Sequence, residues 1–168
     1  MKQIPKELPE TSLLPYFQKT FEYIGTAKVS FSAVLAEEML LLRPGIDKIV
    51  TSRDSQLNYA KHYALGLSRS GYRPEPPMRI KAAGKDGIAL AKTGLYTFVE
   101  GGWATEYDAF IGNKLAYVLS GGDVTPGTTV TEERILELEK EAFMSLLGEE
   151  KTMARIRHIL LKNKPLRN

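Results

Sequence analysis

The sequence has 168 residues, 43% of them hydrophobic and 26% charged, and its formal net charge is +3. A chain of this length buries roughly 70% of the surface that it exposes when unfolded, which is enough for a hydrophobic core. Cysteine is absent, which excludes disulfides, thiolate nucleophiles and thiolate metal ligands. The two histidines, His62 and His158, are too few for a histidine-rich metal site, so we expect no bound metal.

Apolar runs such as Met39 to Leu42 are far shorter than the roughly 20 residues that a membrane-spanning helix needs. The N-terminal residues also lack the basic, apolar and small-residue layout of a secretion signal. We therefore expect a cytoplasmic protein without membrane contact. The 23 basic residues are interspersed with 20 acidic ones, so a pI near 9.0 is only weak evidence for a nucleic-acid partner.

Apolar residues recur at three- and four-residue spacing along most of the chain. This spacing predicts a mainly α fold of about six helices, with at most one short strand, at Ile46 to Val50. Residues 1–11 are expected to form an extended lead-in, followed by a single helical domain over residues 12–168.

The first half of the chain carries helix start and stop signals. Ser12 can cap a helix that Gly25 ends, and Ser30 or Ser32 can cap a shorter one. A third helix is expected to start at Ser52 or Asp54 and to stop at the glycine at position 71, with an apolar face at three- and four-residue spacing. That face consists of Leu57, Ala60, Ala64 and Leu67.

In the second half, residues 78–84 are expected to form a connector and residues 88–99 a helix, followed by another from Thr105 to Leu119. These two helices contain Gly94 and Gly112, which suggest close helix approach because an interior glycine costs about 1 kcal/mol relative to alanine. A single tryptophan, Trp103, could serve as a stacking platform, but at a helix junction it is expected to fill the core.

The last two predicted helices are separated by Gly148. Thr131 can cap the first of them, and Pro165 stops the second. Lys162 and Lys164 then form a basic end that could meet a phosphate group. The alternative is a solvated tail that complements the helix dipole.

Glycine pairs at residues 101–102 and 121–122 follow helical patterns and not strands. This placement argues against a dinucleotide-binding loop, which requires a strand before the glycines. The acidic residues of each pair, at 37–38 and 149–150, point to different sides of a helix, so neither pair can flank a substrate as acid and base without partners from elsewhere in the chain.

Six stretches of the sequence, taken together and in this order, resemble one known family: Ala27–Ser30, Arg53–Lys61, Gly71–Pro74, Gly112–Val124, Leu138–Phe143 and Asn163–Asn168. They resemble the C-terminal end of the large bifunctional 3-hydroxyacyl-CoA dehydrogenases of bacterial fatty-acid β-oxidation. In these enzymes an enoyl-CoA hydratase domain, which is crotonase-like, follows the dehydrogenase domains. The resemblance implies the helical C-terminal part of a crotonase-like domain.

The resemblance also implies where the chemistry lies. Oxyanion donors, catalytic glutamates and the NAD site of the family belong to upstream portions, so we expect no catalytic residue and no NAD in this chain, which would be inactive alone. A family lysine that approaches the CoA phosphates matches Lys162, with Lys164 as a second CoA-binding candidate. Ile159 stands where the family carries an aromatic residue, so no adenine stacking is implied there.

The partners implied by the resemblance are CoA or acyl-CoA, the upstream hydratase and dehydrogenase portions, and further copies of the chain. The expected function is therefore that of a C-terminal fragment that supplies packing, oligomer contacts and part of a CoA site. An independent helical module that binds nucleic acid or another protein is the alternative.

Overall fold

The computed structural model describes residues 13–168 and is mainly helical, as the sequence predicts. In the described residues there are seven helices and two short strands. In chain order they are α1 (Leu13–Gly25), α2 (Ala33–Glu38), α3 (Arg53–Arg69), β1 (Arg79–Lys81), α4 (Gly84–Glu100), α5 (Glu106–Leu119), β2 (Thr129–Thr131), α6 (Glu132–Leu147) and α7 (Glu150–Lys162).

These elements fall into two compact units. The first contains α1, β1, β2 and α4 to α7, and the second, residues 29–77, contains α2 and α3. The expected lead-in and the Ser12 cap lie outside the described residues, and the single helical domain over residues 12–168 stays a prediction. No helix among residues 13–168 has the length and apolar character that crossing a bilayer requires.

The core of the first unit is formed where α1 packs against α4 and α5. Phe17 is 1% exposed and lies among three buried alanines, Ala83, Ala91 and Ala116. Small side chains at these positions let the helices approach closely, and the aromatic ring fills the space between them. Half-buried apolar side chains from the same helices extend this cluster.

The sequence predicts close helix approach at Gly94 and Gly112. The structure confirms this prediction at Gly112, where α5 contacts α4, but not at Gly94. A Cβ atom on Gly112 would lie 2.6 Å from Leu95 Cδ2, whereas one on Gly94 would meet no atom within 4 Å. Trp103 is 74% exposed, so the expectation that it fills the core is wrong. Its backbone continues the turn after α4, where Trp103 N–H donates to the Phe98 carbonyl over 2.9 Å.

Helix α4 begins at Gly84, four residues earlier than the apolar spacing predicts. Its early backbone donors are satisfied by the segment that follows α5: Gly84 N–H donates to the Ser120 carbonyl over 2.9 Å, and Lys85 N–H donates to the Val124 carbonyl over 3.0 Å. Partners for the orphan donors of a helix start stabilise the additional turn. This contact is not visible in the local sequence.

The two strands form one antiparallel ribbon in the first unit. Ile80 pairs with Val130, flanked by the pairs Arg79–Thr131 and Lys81–Thr129. Val130 is buried while both its neighbours are exposed, which is the alternation of a half-covered strand. The prediction of a connector at residues 78–84 is therefore wrong where β1 lies. The local sequence does not indicate this strand, because the pairing partner of β1 lies about 50 residues away.

The strand expected at Ile46 to Val50 is also wrong. The Asp47 carboxylate accepts hydrogen bonds from the Arg43 backbone N–H at 2.8 Å and from its guanidinium group at 2.8 and 3.2 Å. Gly45 has a φ of 75°, in the left-handed region that favours glycine. These local contacts turn the backbone and prevent an extended run.

Helix boundaries elsewhere follow the sequence signals. Ser32 and Thr131 each accept a hydrogen bond from a backbone N–H three residues later. Of the two caps predicted for α2 the structure therefore uses Ser32 and not Ser30, and the predicted cap at Thr131 is confirmed. Helix α3 begins after Ser52, and Gly71, with a φ of 75°, follows its end. In the second unit the buried side chains are those of Ala36 and Met39.

Candidate functional site

Polar side chains connect the start of α5 with α7 and the last residue of the sequence. Arg155 Nη1 lies 2.7 Å from Asp108 Oδ1, and Arg155 Nε donates to Asn168 Oδ1 over 2.7 Å. Thr105 Oγ1 donates to the Asn168 backbone oxygen over 3.4 Å, and the Asn168 side-chain amide donates to the Lys151 carbonyl over 3.3 Å. We call these five residues the Arg155 cluster.

The ring of Tyr107 carries two cations of the same region. Arg155 Cζ lies 5.0 Å and Lys151 Nζ 5.4 Å from the ring centroid. The Tyr107 hydroxyl shares a 2.6 Å hydrogen bond with the Thr152 hydroxyl. A cation over an aromatic face contributes about 0.5–2 kcal/mol, so these contacts attach α7 to α5 and set the position of the chain that follows α7.

Asp108 has a pKa below the usual range of an aspartate. Burial has the largest effect and by itself raises the pKa of Asp108, but hydrogen bonds from Thr105 and the guanidinium group of Arg155 together outweigh it. Asp108 and Thr105 form a reciprocal capping box at the start of α5: the Thr105 N–H donates to the carboxylate over 2.9 Å, and the Asp108 N–H donates to Thr105 Oγ1 over 3.1 Å.

This lowered pKa predicts an acid-sensitive contribution to stability. The folded state holds Asp108 ionised at a pH where the unfolded chain binds a proton, so the contribution is complete above the unfolded pKa of about 3.9 and is lost as the pH falls through the folded pKa. Asp108→Asn should lower the free energy of unfolding by about 1–2 kcal/mol at pH 7 and weaken its decline in acid. Urea denaturation at several pH values measures both effects.

Asp123→Asn is the matched control for Asp108→Asn. The Asp123 side chain is 67% exposed and its carboxylate lies 3.9 Å from Lys85 Nζ, so removal of this charge should change the free energy of unfolding little. Identical pH dependence of the Asp108→Asn variant and the unmodified chain would contradict the role of the capping box and ion pair.

Two open grooves lie on either side of Phe110. One, of about 340 Å³, is lined by Ile88, Lys92, Phe110, Asn113, Lys114 and Tyr117. The other, of about 440 Å³, is lined by Glu106, Tyr107, Phe110, Glu149, Glu150 and Lys151. The first presents lysines without a carboxylate and the second mainly carboxylates, so an anion would be attracted to the first and repelled by the second.

The predicted CoA-binding residues lie at the end of α7. Lys162 is in the last turn and Lys164 lies two residues beyond it, and both side chains are exposed. Between them Asn163 adopts a left-handed conformation, with a φ of 51°, and its N–H donates to the Ile159 carbonyl over 2.8 Å. Among residues 13–168 neither lysine forms an ion pair, and neither belongs to the Arg155 cluster. Their assignment to CoA stays a prediction.

Sequence reasoning missed the Arg155 cluster. The Thr105 and Asp108 spacing of a capping box is a detectable signal for part of it. The pairing of Arg155 with Asp108 joins residues 47 positions apart, and no local pattern indicates it. In the described residues no group of three or more histidine, aspartate and glutamate side chains could hold a metal ion.

Comparison with known proteins gives one informative similarity. Over 150 residues, or 89% of its length, the chain is 46% identical to a Bacillus subtilis (strain 168) protein named a probable 3-hydroxyacyl-CoA dehydrogenase. The chain is similar to one part of that protein. It spans 19% of the relative's length. The resemblance to a 3-hydroxyacyl-CoA dehydrogenase is thereby confirmed at this level, whereas the hydratase portion stays a prediction.

No protein-family model matches the sequence, and no solved structure matches it.

Proposed function

We propose that this chain is a C-terminal helical portion of a 3-hydroxyacyl-CoA dehydrogenase/enoyl-CoA hydratase of cytoplasmic fatty-acid β-oxidation. The observation that carries the proposal is the 46% identity over 150 residues to the Bacillus subtilis protein. In this role the chain supplies packing surfaces, contacts between copies and part of the CoA site. The reaction itself takes place on other portions, which carry the NAD site and the hydratase acid and base groups.

Exposed apolar side chains on α6 and α7 support a role in packing against further protein. The most exposed on α7 are Leu160, at 78%, and Leu161, at 79%, and α6 presents Leu136, Phe143 and Met144, each more than half exposed. Large exposed apolar surfaces in soluble proteins mark interaction sites because their contact with water is unfavourable.

The basic end of α7 supports a contact with the phosphates of CoA. The C-terminus of a helix carries a partial negative charge that disfavours an anion, so side-chain cations must supply the attraction. Lys162 and Lys164 are exposed and have no ion-pair partner in the part of the chain that the structure describes. Both ammonium groups are therefore available to a phosphate.

The test uses a chimera, defined as the Bacillus subtilis relative with its matching region replaced by this chain. The substitution Lys162→Ala in the chimera should weaken CoA binding by about 1 kcal/mol or more, roughly fivefold in the dissociation constant, because a charge-assisted contact is lost. Isothermal titration calorimetry with CoA measures the change. Lys140→Ala, at an exposed lysine of α6, is the matched control and should leave the affinity unchanged.

Equal CoA affinity of the Lys162→Ala chimera and the unmodified chimera would remove Lys162 from the site. Hydration of crotonyl-CoA by the isolated chain at a rate typical of enzymes would show that the catalytic groups are present in it, contrary to the proposal.

A further inference from the structure

Helix α3 is 17 residues long, and none of its residues is buried. Leu57 is 82% exposed, and Tyr59, Tyr63 and Leu65 are each more than 40% exposed. An isolated helix of this length is only marginally stable in water, because most helical stability in proteins comes from packing of an apolar face. We therefore expect helix α3 to pack against another protein surface.

Local interactions of α3 do not replace such a partner. The Ser52 side chain makes no capping hydrogen bond, and Gly66 in the helix interior costs about 1 kcal/mol relative to alanine. Tyr59 and Tyr63 stack with ring centroids 6.3 Å apart, a pair that contributes about 0.2–0.5 kcal/mol. Among the described residues no ion pair involves an α3 side chain.

One face of α3 is suited to docking. Leu57, Ala60, Ala64 and Leu67 follow one another at three- and four-residue spacing, and we call these four residues the α3 stripe. The alanines let a partner backbone approach closely, while Leu57 projects far enough to enter a pocket on it. A surface that fits the stripe must therefore be apolar.

The charges around the stripe add a second requirement. The segment from residue 53 to residue 73 contains four cations against a single acidic residue, Asp54. Arg53 lies four residues before Leu57 and Lys61 four residues after it, so these two flank the stripe, whereas Arg69 lies on the opposite face and Arg73 beyond the end of α3. A surface with carboxylates at its rim would be complementary to this segment. Two copies of α3 packed on each other would instead bring like charges together, which disfavours a second copy as the occupant.

We propose that the α3 stripe docks on an apolar surface, rimmed by carboxylates, in the part of the longer protein that this chain does not contain. The chain corresponds to 19% of the length of its Bacillus subtilis relative, so about four-fifths of such a protein is available to supply that surface. The inference rests on the proposed function, and it assigns to α3 the contact between this chain and the rest of the enzyme.

Hydrogen exchange of the α3 amides tests the proposal. In the isolated chain they should exchange rapidly, because α3 lacks packing, and in the chimera they should exchange at least about tenfold more slowly. Leu57→Glu and Ala64→Glu in the chimera should return the α3 amides to rapid exchange. His62→Glu places the same side chain on the opposite face of α3 and should leave the slow exchange unchanged. Circular dichroism confirms that each variant keeps its helical content.

Three results would overturn the proposal. Rapid exchange of α3 in the unmodified chimera would show that no surface covers it, and equal protection in the stripe variants and in His62→Glu would show that the stripe is not the contact. Protection that appears when the isolated chain is concentrated would assign the stripe to a second copy. The CoA affinity of the chimera is measured separately by calorimetry. A chimera that binds CoA with the expected dependence on Lys162 but leaves α3 unprotected would contradict this inference and not the proposed function.

Discussion

Gly84→Ala is expected to lower the free energy of unfolding by about 2–5 kcal/mol, through left-handed strain of about 1–2 kcal/mol and overpacking of about 1–3 kcal/mol. Gly84 has a φ of 55°, in the left-handed region. A Cβ atom there would collide with the Val124 carbonyl oxygen and lie 2.9 Å from the Pro126 nitrogen. Both are backbone atoms of the segment that satisfies the first donors of α4, so neither can move without disturbing the helix start. Urea denaturation measures the loss.

Gly94→Ala makes the same chemical change ten residues further along α4. A Cβ atom at Gly94 would meet nothing within 4 Å, so the substitution should raise stability by about 0.5–1 kcal/mol through improved helix propensity. Similar effects at the two glycines would show that the close contact with Val124 and Pro126 does not exist.

Phe17→Ala is expected to cost about 3–5 kcal/mol, the range for removal of a buried phenylalanine ring. Phe17 is 1% exposed, packs among the three core alanines and stacks on Phe21 with ring centroids 6.0 Å apart. The three alanines cannot extend into the space, so only the half-buried side chains at the edge of the cluster can relax toward it and part of the cavity would remain. Denaturation of the variant should show a lower midpoint in urea.

Phe31→Ala is the control for Phe17→Ala. Phe31 is 92% exposed, so the loss of its ring should change stability by no more than about 0.5 kcal/mol. A comparable loss of stability in both variants would contradict the position of the core around Phe17.

The core at Phe17 also matters for the proposed site. It joins α1 to α4 and α5, and α5 carries Asp108, which pairs with Arg155 of α7. The position of the basic end therefore depends on a chain of contacts that begins in the core and passes through the Arg155 cluster. This dependence can be separated from direct contact: Phe17→Ala should lower stability, whereas Lys162→Ala should lower CoA affinity alone.

The predicted helices were confirmed where the information is local. Apolar spacing and capping side chains lie within a few residues of each other, so Ser32, Thr131 and Gly148 mark real helix ends. The prediction of a strand at Ile46 to Val50 was wrong because the Arg43–Asp47 contact favours a turn over an extended backbone. The ribbon was missed because strands of three residues carry too little pattern and depend on a distant partner.

The candidate site also has one part that the sequence indicates and one part that depends on distant contacts. Lys162 and Lys164 were identified from the sequence by their place at a helix end and by the family resemblance, and the structure confirms that place without testing their ligand. The Arg155 cluster could not be predicted, since its members lie on separate elements. The exposure of the α3 stripe could not be predicted either, because an amphipathic pattern indicates a face that packs but not where its partner lies.

For this protein, the sequence by itself determined the helical class and most helix ends, because propensity, capping and apolar spacing act over a few residues. It also carried the similarity to part of a 3-hydroxyacyl-CoA dehydrogenase. Tertiary structure alone decided the β1–β2 pairing, the early start of α4, the contact between Arg155 and Asp108 and the lack of buried residues in α3. Each of these depends on which distant groups meet, and that is determined only when the whole chain packs.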